Sequence, residues 1–135
     1  MNNKPRLLIV EDDSTVTNPR KTYLKNEGYE VDTAEYAMEA IEMFKSNLYD
    51  FVITDIWLRD KNGVENNDKA GGLKIIKAIV ELDKKFVGKI IVITGRYERG
   101  DKMWKDLEKL GVKHIETKPI TSKMIHEIIQ NMRKP

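Results

Sequence analysis

Phe51-Val52-Ile53-Thr54-Asp55 reads as a strand with almost no polar alternation that ends on a charge. A strand of that composition has to be covered on both faces, which is the situation inside a parallel sheet. Working outward, residues 6–10 (RLLIV) and 89–94 (KIIVIT) carry the same near-continuous aliphatic character. Weaker runs at 29–33 and 113–117 complete a set of five candidate strands.

Helical spacing fills the gaps between them. Ala37, Ala40, Ile41 and Phe44 recur at three and four residues within 36–47, and Ile76, Ile79 and Val80 do so within 73–82. Met103, Leu107 and Leu110 form another stripe, and Ile125, Ile128, Ile129 and Met132 the last. Gly28 and Gly111 stand where helices should stop, each followed at once by a strand. Alternating strand and helix predicts an α/β doubly wound sheet of parallel strands, with right-handed crossovers and helices on both faces.

Two segments interrupt the rhythm. Residues 64–71 (VENNDKAG) are polar and longer than a compact strand-to-helix connection needs. They read as a surface insertion, with a lid or partner contact beside Asp55 as the sharper alternative. Pro19 falls inside the first helical stretch. Asn18-Pro19 resembles an N-cap followed by the first helical residue, so the helix either starts late or is distorted near Ser14. The expectation is a kink or a distorted first turn.

The chain's 135 residues suit one domain spanning 1–135, and its 40% hydrophobic content is that of an ordinary globular protein. Cysteine is absent, which excludes disulfides and thiolate metal sites and fits a reducing compartment. The polar start does not read as a signal peptide, and the apolar runs are too short to span a bilayer. Basic residues exceed acidic ones by 24 − 22 = 2 and are interspersed with them, which argues against a nucleic-acid-binding stripe.

In a doubly wound sheet, ligands bind beyond the carboxyl ends of the strands at the topological switch point. The first strand delivers Glu11-Asp12-Asp13 to that rim, the third Asp55, the fourth Thr94 and the fifth Lys118-Pro119, a bond that could be cis. The second strand delivers little, which places it at an edge. Glu11, Asp12 and Asp55 in one pocket would repel one another by roughly 4 kcal/mol per pair at about 4 Å. Lys118 offsets part of this, and a hard divalent cation would offset more. Asp13 or Ser14 reads as a helix N-cap in preference to a metal ligand. His114 and His126 lack clustered partners and read as surface or packing residues.

LLIVEDD, FVITD, IIVITG and TKP, in that order, resemble the response-regulator receiver domains of two-component signalling, and the resemblance covers essentially the whole chain. It implies a flavodoxin-like (βα)5 fold with strand order 2-1-3-4-5. It also implies phosphoryl acceptance on Asp55 from a histidine kinase or histidine phosphotransfer protein, catalysed by the domain itself. Glu11, Asp12, Asp55 and the main-chain carbonyl of Trp57 would hold Mg²⁺ (or Mn²⁺), Thr94 and Lys118 would each engage a phosphoryl oxygen, and Gly63 matches the family's glycine.

Arg59, Gly95 and Ile115 stand where the family commonly has proline, a small residue and an aromatic. Ile115 puts the usual aromatic switch in doubt. Trp57 is expected to shield the acyl phosphate from water. Output is expected through protein contacts on helix four, strand five and helix five, including Trp104, Lys123 and Met124, from a cytoplasmic monomer or weak phosphorylation-dependent dimer with no effector domain. The alternatives are a phosphorylation-independent pseudo-receiver and a small flavin or nucleotide binder. The latter would need a phosphate-cradling loop where Glu11-Asp12-Asp13 stand.

Overall fold

The computed structural model describes residues 4–58, 71–95 and 100–134. In chain order the elements are β1 (Arg6–Val10), α1 (Ser14–Asn26), β2 (Glu30–Ala34), α2 (Ala37–Ser46), β3 (Phe51–Asp55) and α3 (Gly71–Leu82). A 3-10 helix (Lys84–Lys89) then leads to β4 (Ile90–Thr94), α4 (Lys102–Lys109), β5 (His114–Thr117) and α5 (Ser122–Arg133). The five strands form one parallel sheet in the order β2-β1-β3-β4-β5. That is the doubly wound sheet expected from the alternating strands and helices, in the flavodoxin-like order that the receiver resemblance implies.

Strand pleating divides the core in two, because successive side chains point to opposite faces. Leu8, Val10, Val52, Ile90 and Val92 pack with Ala40, Ile41, Ile75, Ile76, Ile79 and Leu107 on the α2–α3–α4 side. Leu7, Ile9, Ile53, Ile91 and Ile93 pack with Leu24, Ile125 and Ile129 on the α1–α5 side. β3 and β4 are buried throughout, whereas the edge strand β5 is not.

β2, β4 and β5 each start one residue later than the sequence reading, while α1 takes the earlier of its two expected starts. α1 begins at Ser14 and carries Pro19 within it, so Asn18-Pro19 is not its start. Asp13 supplies the cap: its carboxylate accepts from Thr15 N at 3.0 Å and Thr15 Oγ1 at 2.6 Å, and its carbonyl from Val16 N and Thr17 N. The buried stripe Thr17, Arg20 and Leu24 holds the helix to the sheet, and such packing outweighs the hydrogen bond a proline removes. β2 starts at Glu30 because Gly28 takes a left-handed conformation (φ 99°) and Tyr29 N folds back onto Leu24 O at 3.1 Å. β4 starts at Ile90 because the 3-10 helix, capped by Asp83, uses Lys89.

His126 has partners after all: Nδ1 lies 2.8 Å from Tyr29 Oη and Nε2 3.4 Å from Glu27 Oε2, which ties α5 to the corner between α1 and β2. Trp104 is only 6% exposed, so it belongs to the buried face of α4 together with Leu107, while Lys123 and Met124 are exposed on α5. Of the insertion at 64–71, Gly71 opens α3, while residues 64–70 lie outside the described residues, as do Arg59 and Gly63. Among the described residues, no helix is long and apolar enough to cross a membrane.

Candidate functional site

Sheet register brings the acids together. Val10 pairs with Thr54, so the next residues, Glu11 and Asp55, stand side by side at the carboxyl rim. Ile93 pairs with Asp55 and Thr94 with Thr117, which sets Thr94 and Lys118 on the other flank of Asp55. The strand order reverses between β1 and β3, so this rim is the switch point.

Asp55 is 4% exposed, and both carboxylate oxygens are engaged. Oδ1 accepts from Trp57 N at 3.0 Å and Oδ2 from Lys118 Nζ at 2.5 Å. Glu11, 5% exposed, accepts from Asp13 N at 3.2 Å, and its Oε2 lies 4.0 Å from the same ammonium. Lys118 is thus shared unequally between the two carboxylates and favours Asp55. Its main-chain N donates to Thr94 O at 2.8 Å, and the Lys118-Pro119 bond is cis. A Cβ at Gly95 would stand 3.2 Å from Lys118 Cδ, so the glycine leaves room for the lysine stem. Thr94 is buried at the end of β4.

Asp12, next to Glu11 in the chain, is half-buried. Among the described residues, no three acidic or histidine side chains form a metal-holding group. Glu11 and Asp55 are the close pair, sharing the Lys118 ammonium.

Burial, then the charge of Asp55 and a hydrogen bond to it, push the Glu11 carboxyl up to about 8, against the pull of Lys118 and the Asp13 N–H. Burial would lower the Lys118 ammonium, but the hydrogen bond to Asp55 and the charges of Asp55 and Glu11 outweigh it and raise its pKa. The Glu11 shift has a stability consequence. The folded state holds a proton that the unfolded chain, at an ordinary carboxyl value of about 4.5, has released. That stability is fully present below about pH 4.5 and is lost as pH rises through about 8. Urea midpoints of the metal-free protein should therefore fall across this window, by on the order of 3 kcal/mol, and Glu11→Gln should flatten the profile.

Asp13 is the N-cap anticipated for it. Asp13→Ala should cost about 1 kcal/mol in thermal or urea unfolding and leave divalent-ion binding unchanged. A lost ion affinity would make Asp13 a ligand.

One residue escaped the sequence reading. Arg20, 7% exposed, lies in the inward stripe of α1, and its Nη2 donates to Ile120 O at 3.4 Å. The available signal was its place three residues after Thr17 and four before Leu24, where a solvated arginine would not be.

The profile of the response regulator receiver domain family matches residues 7–130. The transcriptional regulatory protein DltR of Streptococcus agalactiae is 32% identical over 98 residues, 73% of this chain and 39% of that protein. Hybrid signal transduction histidine kinase I of Dictyostelium discoideum is 31% identical over 133 residues, 93% of this chain and 7% of that protein. The chain thus spans less than half the length of these relatives. The crystal structure of a CheY-like response regulator receiver domain protein from Methanospirillum hungatei superposes with a TM-score of 0.76 at 26% identity, covering 96% of this chain and 93% of that one. The parallel sheet ordered 2-1-3-4-5, the acids at its switch point and the match across 7–130 agree, and the chain belongs to the response regulator receiver domain family.

Proposed function

We propose that the chain accepts a phosphoryl group on Asp55 from a phosphohistidine of a histidine kinase or histidine phosphotransfer protein. The observation that carries this reading is the buried Asp55 carboxylate, held between the Trp57 N–H and the Lys118 ammonium at the switch point. An Asp55 oxygen forms the new bond to phosphorus as the donor's P–N bond breaks. The bonding pair and a proton stay with the departing imidazole.

A carboxylate attacks an anionic donor slowly unless charge on the transferring group is neutralised. Lys118 supplies one charge from this chain, and Thr94 a hydroxyl for a phosphoryl oxygen. The donor set is oxygen only, with two buried carboxylates side by side at the switch point, and this suits a hard divalent cation. Glu11, Asp12, Asp55 and the Trp57 carbonyl would hold Mg²⁺ or Mn²⁺, which when bound neutralises charge on the transferring oxygens. The surface around Lys123 and Met124 is the proposed contact for a protein target, with the chain acting as a monomer or a weak phosphorylation-dependent dimer in the cytoplasm.

The test is intact mass after incubation with Mg²⁺ and a small phosphodonor, followed by peptide mapping. Gain of one phosphoryl group on Asp55 is expected. No gain with any donor would leave the pseudo-receiver reading. Trp57, half-buried two residues after the acceptor, is proposed to shield the acyl phosphate. Trp57→Asn should speed loss of the group severalfold, measured by the decay of phosphorylated mass after donor removal.

A further inference from the structure

Thr54 is fully buried, one residue before the end of β3. Pleating turns its side chain to the same face as Val52, the α2–α3–α4 side of the sheet. A buried hydroxyl has to find a partner. This one donates to the main-chain carbonyl of Asp55, at 2.9 Å.

The same carbonyl is walled in from α3. A Cβ at Gly72 would stand 2.3 Å from Asp55 O, so the glycine lets the helix lie directly against it. The peptides that follow are held as well. Ile56 N donates to Ile93 O at 3.2 Å, Gly72 N to Ile56 O at 3.0 Å, and Trp57 N to Asp55 Oδ1 at 3.0 Å. The main chain from Asp55 to Trp57 is therefore pinned from β4, from α3 and by the Asp55 carboxylate itself. These three bonds use main-chain N–H groups. The bond from Thr54 to the Asp55 carbonyl is the one that a change of the donor's side chain removes by itself.

We infer that Thr54 is a positioning residue for Asp55: its hydroxyl fixes the tilt of the Asp55–Ile56 peptide, and through it the angle at which the carboxylate meets an incoming phosphorus. The inference rests on the reading that Asp55 accepts a phosphoryl group. Without the hydroxyl, the carbonyl loses a donor and the peptide plane can rock between α3 and β4. The Trp57 N–H belongs to the same stretch of chain and moves with it, which loosens its hold on Oδ1. A displacement of about 1 Å at a reacting atom costs on the order of a hundredfold in rate, and a partial displacement less.

The test follows intact mass over time with Mg²⁺ and phosphoramidate, a small donor with the same P–N bond as phosphohistidine. Urea midpoints establish that each variant is folded under the assay conditions. Thr54→Val keeps the shape and removes the hydroxyl, and it should take up the phosphoryl group about tenfold more slowly than the wild type. Thr54→Ser keeps the hydroxyl and removes the methyl, and it should stay within about threefold of the wild type. A packing role alone gives the reverse order, because valine fills the space and serine leaves a gap. Should Thr54→Val fail to fold, Thr54→Ala replaces it in the comparison with Thr54→Ser. Uptake by the wild type with a folded Thr54→Val at the same rate would overturn the role of Thr54 alone. A Thr54→Ser as slow as Thr54→Val would do the same. No uptake by the wild type would overturn the acceptor reading and this inference together.

Discussion

Asp55→Asn is expected to abolish phosphoryl uptake while leaving the fold in place. The substitution is nearly isosteric, and the amide oxygen can still accept from Trp57 N, now 3.0 Å from Oδ1. The amide is not a nucleophile towards phosphorus, however. Its NH₂ group would also face Lys118 Nζ, now 2.5 Å from Oδ2, so the charge-assisted bond is lost. Intact mass after exposure to Mg²⁺ and a small phosphodonor should show no gain. A persistent gain would place the acceptor elsewhere. The same variant has a second readout, because the charge of Asp55 is the largest cause after burial of the high Glu11 value. The pH at which metal-free stability declines should therefore move down from about 8.

Gly72→Ala should destabilise the protein by about 3 kcal/mol, a large share of a small domain's stability. Gly72 sits in the first turn of α3, directly against the end of β3. A Cβ there would stand 2.3 Å from Asp55 O and 2.7 Å from Ile56 Cα. Both are main-chain atoms, so no rotamer change relieves the overlap. Either α3 lifts and breaks the bond from Gly72 N to Ile56 O, now 3.0 Å, or the backbone of Asp55 shifts. The first lowers the urea midpoint, and the second also slows phosphoryl uptake. Gly88→Ala is the control, because nothing lies within 4 Å of its Cβ. It should change stability by no more than about 0.5 kcal/mol. Equal urea midpoints for the two variants would refute the close-approach argument.

The β-sheet was readable from residue types because burial on both faces leaves a central strand almost nothing but aliphatic positions. Residues 51–55 and 90–94 satisfy that condition and are buried along their whole length. Helix ends at Gly28 and Gly111 were readable because each takes a positive φ, near 100°, which other residues resist. The 3-10 helix before β4 was not, since its residues 84–89 carry no periodic apolar pattern and only Phe86 is buried. Trp104 illustrates the remaining ambiguity. Met103, Leu107 and Leu110 share a helical spacing, but α4 rotates to bury Trp104 with Leu107.

Local pattern alone specified alternating strands and helices, and which strands end in a carboxylate, a hydroxyl or an ammonium, because those features depend on neighbours a few residues apart. Parallel register decided that Glu11 stands beside Asp55, one residue past the Val10–Thr54 pair, and the fold delivered Lys118 across 63 positions of chain to 2.5 Å from Asp55. Packing of α1 against the sheet decided that Arg20 is buried, with Nη2 on the carbonyl of Ile120. Charges interact through space and burial, not along the chain, so the electrostatic balance of the pocket exists only once the sheet has closed around it.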